Sequence, residues 1–113
     1  MSKPVVWVDL PTRQPRGHEQ QGRRPCILIQ DLATMQALRY PMLLVVPMTT
    51  SYSGNPPLYV SLPPGTAGLK QGSTALLDQL LSVDSSRVVG YIGTLTEAEY
   101  QPVHEALRRM LEA

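Results

Sequence analysis

No apolar stretch of this chain runs far before a proline, a glycine or a polar cluster interrupts it, and that punctuation restricts the fold to short strands joined by turns. Val5-Val6-Trp7-Val8-Asp9-Leu10 is β-branched and aromatic and stops at Pro11, which predicts a first strand ended by a loop. Pro25 to Gln30 predicts a second, and its unbroken Cys26, Ile27, Leu28 and Ile29 imply burial on both faces. Met42 to Met48 predicts a third that delivers Thr49, Thr50 and Ser51 at its end. Leu58 to Leu62 predicts a short fourth strand between turns at 52–57 and 63–65. Ser73 to Leu81 reads as a strand carrying Asp78 and Gln79; helix is the alternative there, and the strand-turn rhythm favours extension. After a polar turn at 83–87, Val88 to Leu95 predicts a last strand, weakened inside by Gly90 and Gly93.

Two helices accompany these strands. Asp31 caps a short helical turn through Leu38 that ends before Pro41. Thr96 followed by Glu99 is a capping box, and Tyr100, Val103, Leu107 and Leu111 form one helical stripe. Pro102 removes a donor and is expected to kink or delay the regular part. The sum is a mainly β domain over residues 1–113: a small twisted antiparallel sheet or partly open barrel with peripheral helices, one of them C-terminal.

Composition narrows the function classes. No apolar run approaches the roughly 18 residues that cross a bilayer, and the N-terminus has no apolar stretch of secretory type, so a cytoplasmic protein is expected. The single cysteine, Cys26, excludes an internal disulfide and reads as a small buried hydrophobe. His18 and His104 are the only histidines and stand at no metal-ligand spacing, so no metal or other cofactor is expected. His104 reads as a solvated or half-buried structural residue of the closing helix. The formal net charge of +1 does not announce a nucleic-acid binder, but its distribution is uneven. Arg13, Arg16, Arg23 and Arg24 all fall in or beside the stretch 11–24, and arginine's planar fork suits phosphate.

The run Gly17-His18-Glu19-Gln20-Gln21-Gly22-Arg23-Arg24-Pro25 has no apolar side chain besides proline, so it is either a solvated turn or the handler of a polar ligand. Composition alone favours the plainer reading, a solvated loop whose arginines pair incidentally with Asp9 and Glu19. The residue types also suit metal-free phosphoryl transfer on RNA. That reaction needs a base for the 2′-hydroxyl, an acid for the leaving oxygen and donors for the charged transition state.

Motif by motif, the chain resembles the MazF/PemK (Kid) family of toxin ribonucleases. Val6-Trp7-Val8-Asp9-Leu10 with residues 17–25 resembles the opening of that family, and Val46-Pro47-Met48-Thr49-Thr50 its second motif. Asp78-Gln79 with Val83-Asp84 resembles the third, and Ile92-Gly93-Thr94-Leu95 its C-terminal part. Gly-His-Glu-Gln is closer to the Kid/PemK branch than to the Gly-Ser-Glu-Gln form. The resemblance implies an SH3-like β-barrel, a homodimer, and sequence-selective, metal-independent cleavage of single-stranded mRNA. The 2′-hydroxyl attacks the adjacent phosphate, leaving a 2′,3′-cyclic phosphate and a 5′-hydroxyl. It also implies a cognate antitoxin whose extended acidic tail lies along the basic groove.

Carried over by position, the resemblance makes Arg24 the general acid and transition-state stabiliser and Thr49 a phosphate donor. Asp78 becomes the general base, with His18 and Glu19 in support and Gln20 shaping the loop. Arg16, Arg23, Thr50, Ser51 and Gln79 complete the substrate-binding set. Leu76 stands where the Kid-like branch has an arginine, which moves the acid role to Arg24 and leaves Asp78 and His18 as alternative bases. The stretch 11–16 is longer than the family's usual entry to Gly17. A CcdB-like toxin that binds gyrase is the alternative of the same fold, but that type acts through a tryptophan in the C-terminal tail, and the one tryptophan here is Trp7. A catalytically silent SH3-like interaction module is the third reading.

Overall fold

Strand β1 (Lys3–Leu10) lies inside an antiparallel sheet, paired along both edges, a position that suits its apolar residues on both faces. A computed structural model of the chain describes residues 3–11, 21–30, 42–50 and 58–112. The remaining strands are β2 (Gly22–Leu28), β3 (Met42–Thr49), β4 (Tyr59–Leu62), β5 (Ser73–Leu76), β6 (Leu81–Asp84) and β7 (Val88–Leu95), followed by a closing helix, Glu97–Leu111. Their order across the sheet is β4-β5-β3-β2-β1-β7, with β6 also on β3. The helical turn expected after Asp31 and the turn at 52–57 lie outside the described residues.

Two apolar clusters flank the strands. Val5, Ile27, Val46 and Met48 pack with Leu77 and with Tyr100, Val103 and Leu107 of the helix. Val6, Val8, Cys26, Leu28 and Val45 pack on the opposite side with Leu43 and Val83. Neighbouring residues of one strand thus enter different cores, which is why the stretches 26–28 and 43–48 are apolar without alternation. The capping box forms as expected: the Thr96 hydroxyl accepts from the Glu99 N–H at 3.1 Å, and the Thr96 N–H donates to Glu99 Oε1 at 2.8 Å. The helix begins directly after this cap, so Pro102, which lies exposed inside it, does not delay it. Leu111, the last member of the expected stripe, is exposed.

Two strand assignments change. β2 starts at Gly22 and not Pro25, because the β1 backbone pairs as far as Leu10, opposite Gly22, and carries Arg23 and Arg24 into the ladder with their side chains exposed. Gly22 enters the strand at φ +78°, a conformation that suits glycine. The single strand expected over 73–81 is two strands separated by a 3-10 turn, Leu77–Gln79. Both pieces lie along β3, with Ala75 opposite Met48 and Leu81 opposite Val45. One continuous register would place three fewer residues between those pairs, and the turn absorbs the excess. It buries Leu77 and pushes Asp78 outward.

Candidate active site

Where β1, β2 and β3 end beside β5, the sheet opens into a cavity of about 660 Å³. Met48, fully buried, closes its floor, and Arg23, Arg24, Thr49 and Thr50 line it from the strand ends. Antiparallel register explains the grouping. Cys26 pairs with Pro47, so the same register carried two residues on sets Arg24 opposite Thr49. Thr49 pairs with Thr74 on the other side of β3, and the next step brings Thr50 toward Ser73, which also lines the cavity. The facing wall is the loop 68–71, which contributes Lys70 and Gln71.

The two arginines differ electrostatically. Arg23 Nε donates to Asp9 Oδ1 at 3.0 Å, and this hydrogen bond is the main reason the Asp9 carboxyl is held below the usual carboxylate range. Arg87 Nη1 donates to the Asp9 carbonyl at 3.2 Å and adds a second cation nearby. Arg24 instead uses Nε to reach the Gln21 carbonyl at 3.0 Å, a neutral acceptor that leaves its charge uncompensated by that bond. A guanidinium held at Nε presents its Nη pair as a fork, the geometry that grips phosphate oxygens. Cys26, two residues further along β2, is buried, its Sγ 3.7 Å from the Arg24 carbonyl, and burial pushes its thiol up to about 12. It is structural, as its apolar neighbours foretold.

Of the expected site residues, the cavity gathers Arg23, Arg24, Thr49 and Thr50. Asp78 and Gln79 are not among its lining residues. They sit on the 3-10 turn, which packs against the helix, β3 and β4, and Asp78 Oδ2 accepts from the Tyr59 hydroxyl at 3.2 Å. Leu76, just before that turn, is buried in β5. Arg16, His18, Glu19, Gln20 and Ser51 lie outside the described residues. His104 is exposed on the closing helix, its ring 6.2 Å from that of Tyr100. Trp7, Lys70, Gln71 and Ser73 line the cavity without having been singled out. For Trp7 the available signal was Asp9, two residues on and therefore on the same strand face, which marks that face as wet.

Residues 3–111 match the family described as PemK-like, MazF-like toxin of type II toxin-antitoxin system. Endoribonuclease MazF9 of Mycobacterium tuberculosis is 30% identical over 116 residues, covering 99% of this chain and 97% of that protein. MazF from Deinococcus radiodurans superposes with a TM-score of 0.78 at 26% identity, covering 96% of this chain and 92% of the other. A crystal structure of MazE-MazF from the same organism gives 0.72 at 28% identity, covering 96% and 91%. Among the described residues, no helix is long and apolar enough to cross a membrane.

Proposed function

The chain belongs to the PemK-like, MazF-like toxins of type II toxin-antitoxin systems, and from that premise we propose a metal-independent endoribonuclease that cuts single-stranded mRNA at selected sites. The observation that carries the reading is the convergence of Arg24, Thr49 and Thr50 on one cavity at the strand ends. The 2′-oxygen forms a bond to the adjacent phosphorus as the bond from phosphorus to the 5′-oxygen breaks. The products are a 2′,3′-cyclic phosphate and a 5′-hydroxyl.

Arg24 stabilises the extra negative charge on the non-bridging oxygens and is the candidate to protonate the leaving oxygen. Thr49 and Thr50 supply hydroxyl donors to the same phosphate. The base that takes the 2′-proton is Asp78 or His18, with Glu19 in support; Asp78 accepts from the Tyr59 hydroxyl on a turn outside the cavity lining. Arg23 lines the cavity with its charge offset by Asp9 and does no bond-breaking work. A cognate antitoxin holds the enzyme in check, its acidic segment competing with RNA for the arginines. Homodimer formation and action in the cytoplasm, where mRNA is met, belong to the same proposal.

Incubating the purified protein with a long single-stranded RNA in EDTA tests it. Discrete fragments ending in cyclic phosphate are expected. Arg24→Ala is expected to cut about 10²–10³-fold more slowly with its fold intact by circular dichroism. Full activity in that variant overturns the assignment.

A further inference from the structure

Trp7 lies in a strand paired on both edges and is nevertheless 40% exposed, while Val5, Val6 and Val8 around it are 0–6% exposed. An indole left open in such a strand forgoes burial that its neighbours achieve, so its position calls for a ligand. Its opening is into the cavity that holds Arg24 and Thr49. On one side Trp7 pairs with Pro25, and on the other with Gly90 of β7. A methyl group at Gly90 would stand 3.4 Å from Trp7 Cδ1, so the indole lies across the bare glycine backbone. Cross-strand packing of this kind fixes the ring in advance of binding.

The wall opposite is fixed as firmly. Gly68 and Ala67 have φ of +79° and +52°, and the turn they form sits directly on β7. A side-chain carbon at Gly93 would fall 1.9 Å from the Ala67 carbonyl oxygen, and one at Gly68 3.2 Å from that of Ile92. Lys70 and Gln71 follow on this turn, and the Ser73 hydroxyl donates to the Gln71 carbonyl at 3.2 Å. The cavity therefore has an aromatic plane on one strand, a cation and an amide on a wall anchored to the neighbouring strand, and an arginine fork at its rim. Single-stranded nucleic acid is bound by that combination: bases stack on aromatic rings while cations follow the backbone.

We propose that Trp7 is the stacking platform for one unpaired nucleobase beside the cleaved phosphate, and that it sets site selection. This inference rests on the ribonuclease reading for its substrate. Stacking alone accepts any base, so discrimination falls to contacts with the base edge, for which the Gln71 amide in the same cavity lining is the candidate. Arg24 drives bond breaking; Trp7 holds the nucleotide so that the phosphate meets it.

Because Trp7 is the one tryptophan, its emission reports the contact directly. The full-length protein is titrated with end-labelled oligodeoxynucleotides, which lack the attacking hydroxyl, with anisotropy following binding and indole fluorescence following stacking. Quenching that saturates with binding is expected, and a single abasic position should abolish it. Binding with unchanged emission overturns the proposal. In RNA cleavage, Trp7→Phe should keep the wild-type cutting pattern. Trp7→Leu, which fills space without a π face, should raise KM about tenfold and cut at additional sites, with kcat less affected. A Trp7→Leu variant with wild-type KM and pattern is the second overturning result. A wild-type protein that quenches on DNA but cuts no RNA would remove the ribonuclease reading and leave the platform standing.

Discussion

Cys26 and Arg24 are two residues apart on β2 and meet opposite environments, since one side chain enters a core and the other stays exposed at the strand end. The consequence for Cys26 is a thiol that desolvation keeps protonated up to about 12. Native protein should react negligibly with a thiol reagent at pH 8, and the reaction should appear only as denaturant unfolds the chain; rapid labelling of the native state would contradict this burial. The raised value has a stability sign as well. Below the ordinary thiol value of 9.0 both states are protonated and the contribution is fully present. As the pH rises from there toward about 12, the unfolded state ionises first, and stability falls by about 1.4 kcal/mol per unit. Equilibrium denaturation at pH 8 and pH 10 measures it, against a Cys26→Ala variant that lacks the effect. Arg24 and Thr49 were marked as candidates by the family resemblance, since their polarity alone fits a solvated loop and a turn. Trp7 was not, because an aromatic in a β-branched run has the pattern of core.

At the scale of elements, the seat between β7 and the 3-10 turn Thr66–Gly68 controls the cavity's facing wall. The obstruction at Gly93 is backbone, the Ala67 carbonyl at 1.9 Å and its carbon at 2.5 Å, so no side-chain rotation relieves it. Gly93→Ala must lift the turn, and with it Lys70 and Gln71. We expect a loss of about 10²-fold in kcat/KM, the scale of an ångström's misplacement, with destabilisation of about 1–3 kcal/mol. Gly72→Ala is the control, since its nearest neighbours would stand at an ordinary 3.6 Å; equal losses in the two variants would show that the wall position is not what matters. Strand runs and the capping box were readable because each is written in local periodicity. The excursion at 77–79 was not. It arises from a three-residue mismatch between β5 and β6 along β3, and register against a distant strand leaves no local mark. The early start of β2 has the same origin: backbone pairing with β1 outweighed the polarity of Arg23 and Arg24.

Across the whole molecule the formal charge is only +1, so attraction for RNA depends on where charge is left uncompensated rather than on its sum. Asp9 withdraws Arg23 from that field, and the pair governs how strongly binding responds to salt. Because the Asp9 carboxyl is held below its ordinary range by the Arg23 hydrogen bond, the pair is intact at neutral pH and lost as pH falls through that lowered value. Its stabilising effect is present above the ordinary carboxylate range and disappears on acidification. Substitution achieves the same release at constant pH. In Asp9→Asn, Arg23 keeps a hydrogen-bonding neighbour and loses the opposing charge, so it can neutralise one further phosphate. Each phosphate neutralised on a single strand steepens the dependence of log affinity on log salt by about 0.7. Between 50 and 200 mM salt, the variant's affinity for an oligodeoxynucleotide should therefore fall about 2.6-fold further than that of the wild type. Arg87 also feels the Asp9 charge and is kept constant by making the comparison in an Arg87→Gln background, where the remaining cations cancel. Anisotropy titrations at four salt concentrations give the two slopes. Parallel lines would mean that Arg23 already engages the backbone despite Asp9, or never reaches it. Testing Arg23→Gln separates these, since only an engaged Arg23 would make the slope shallower.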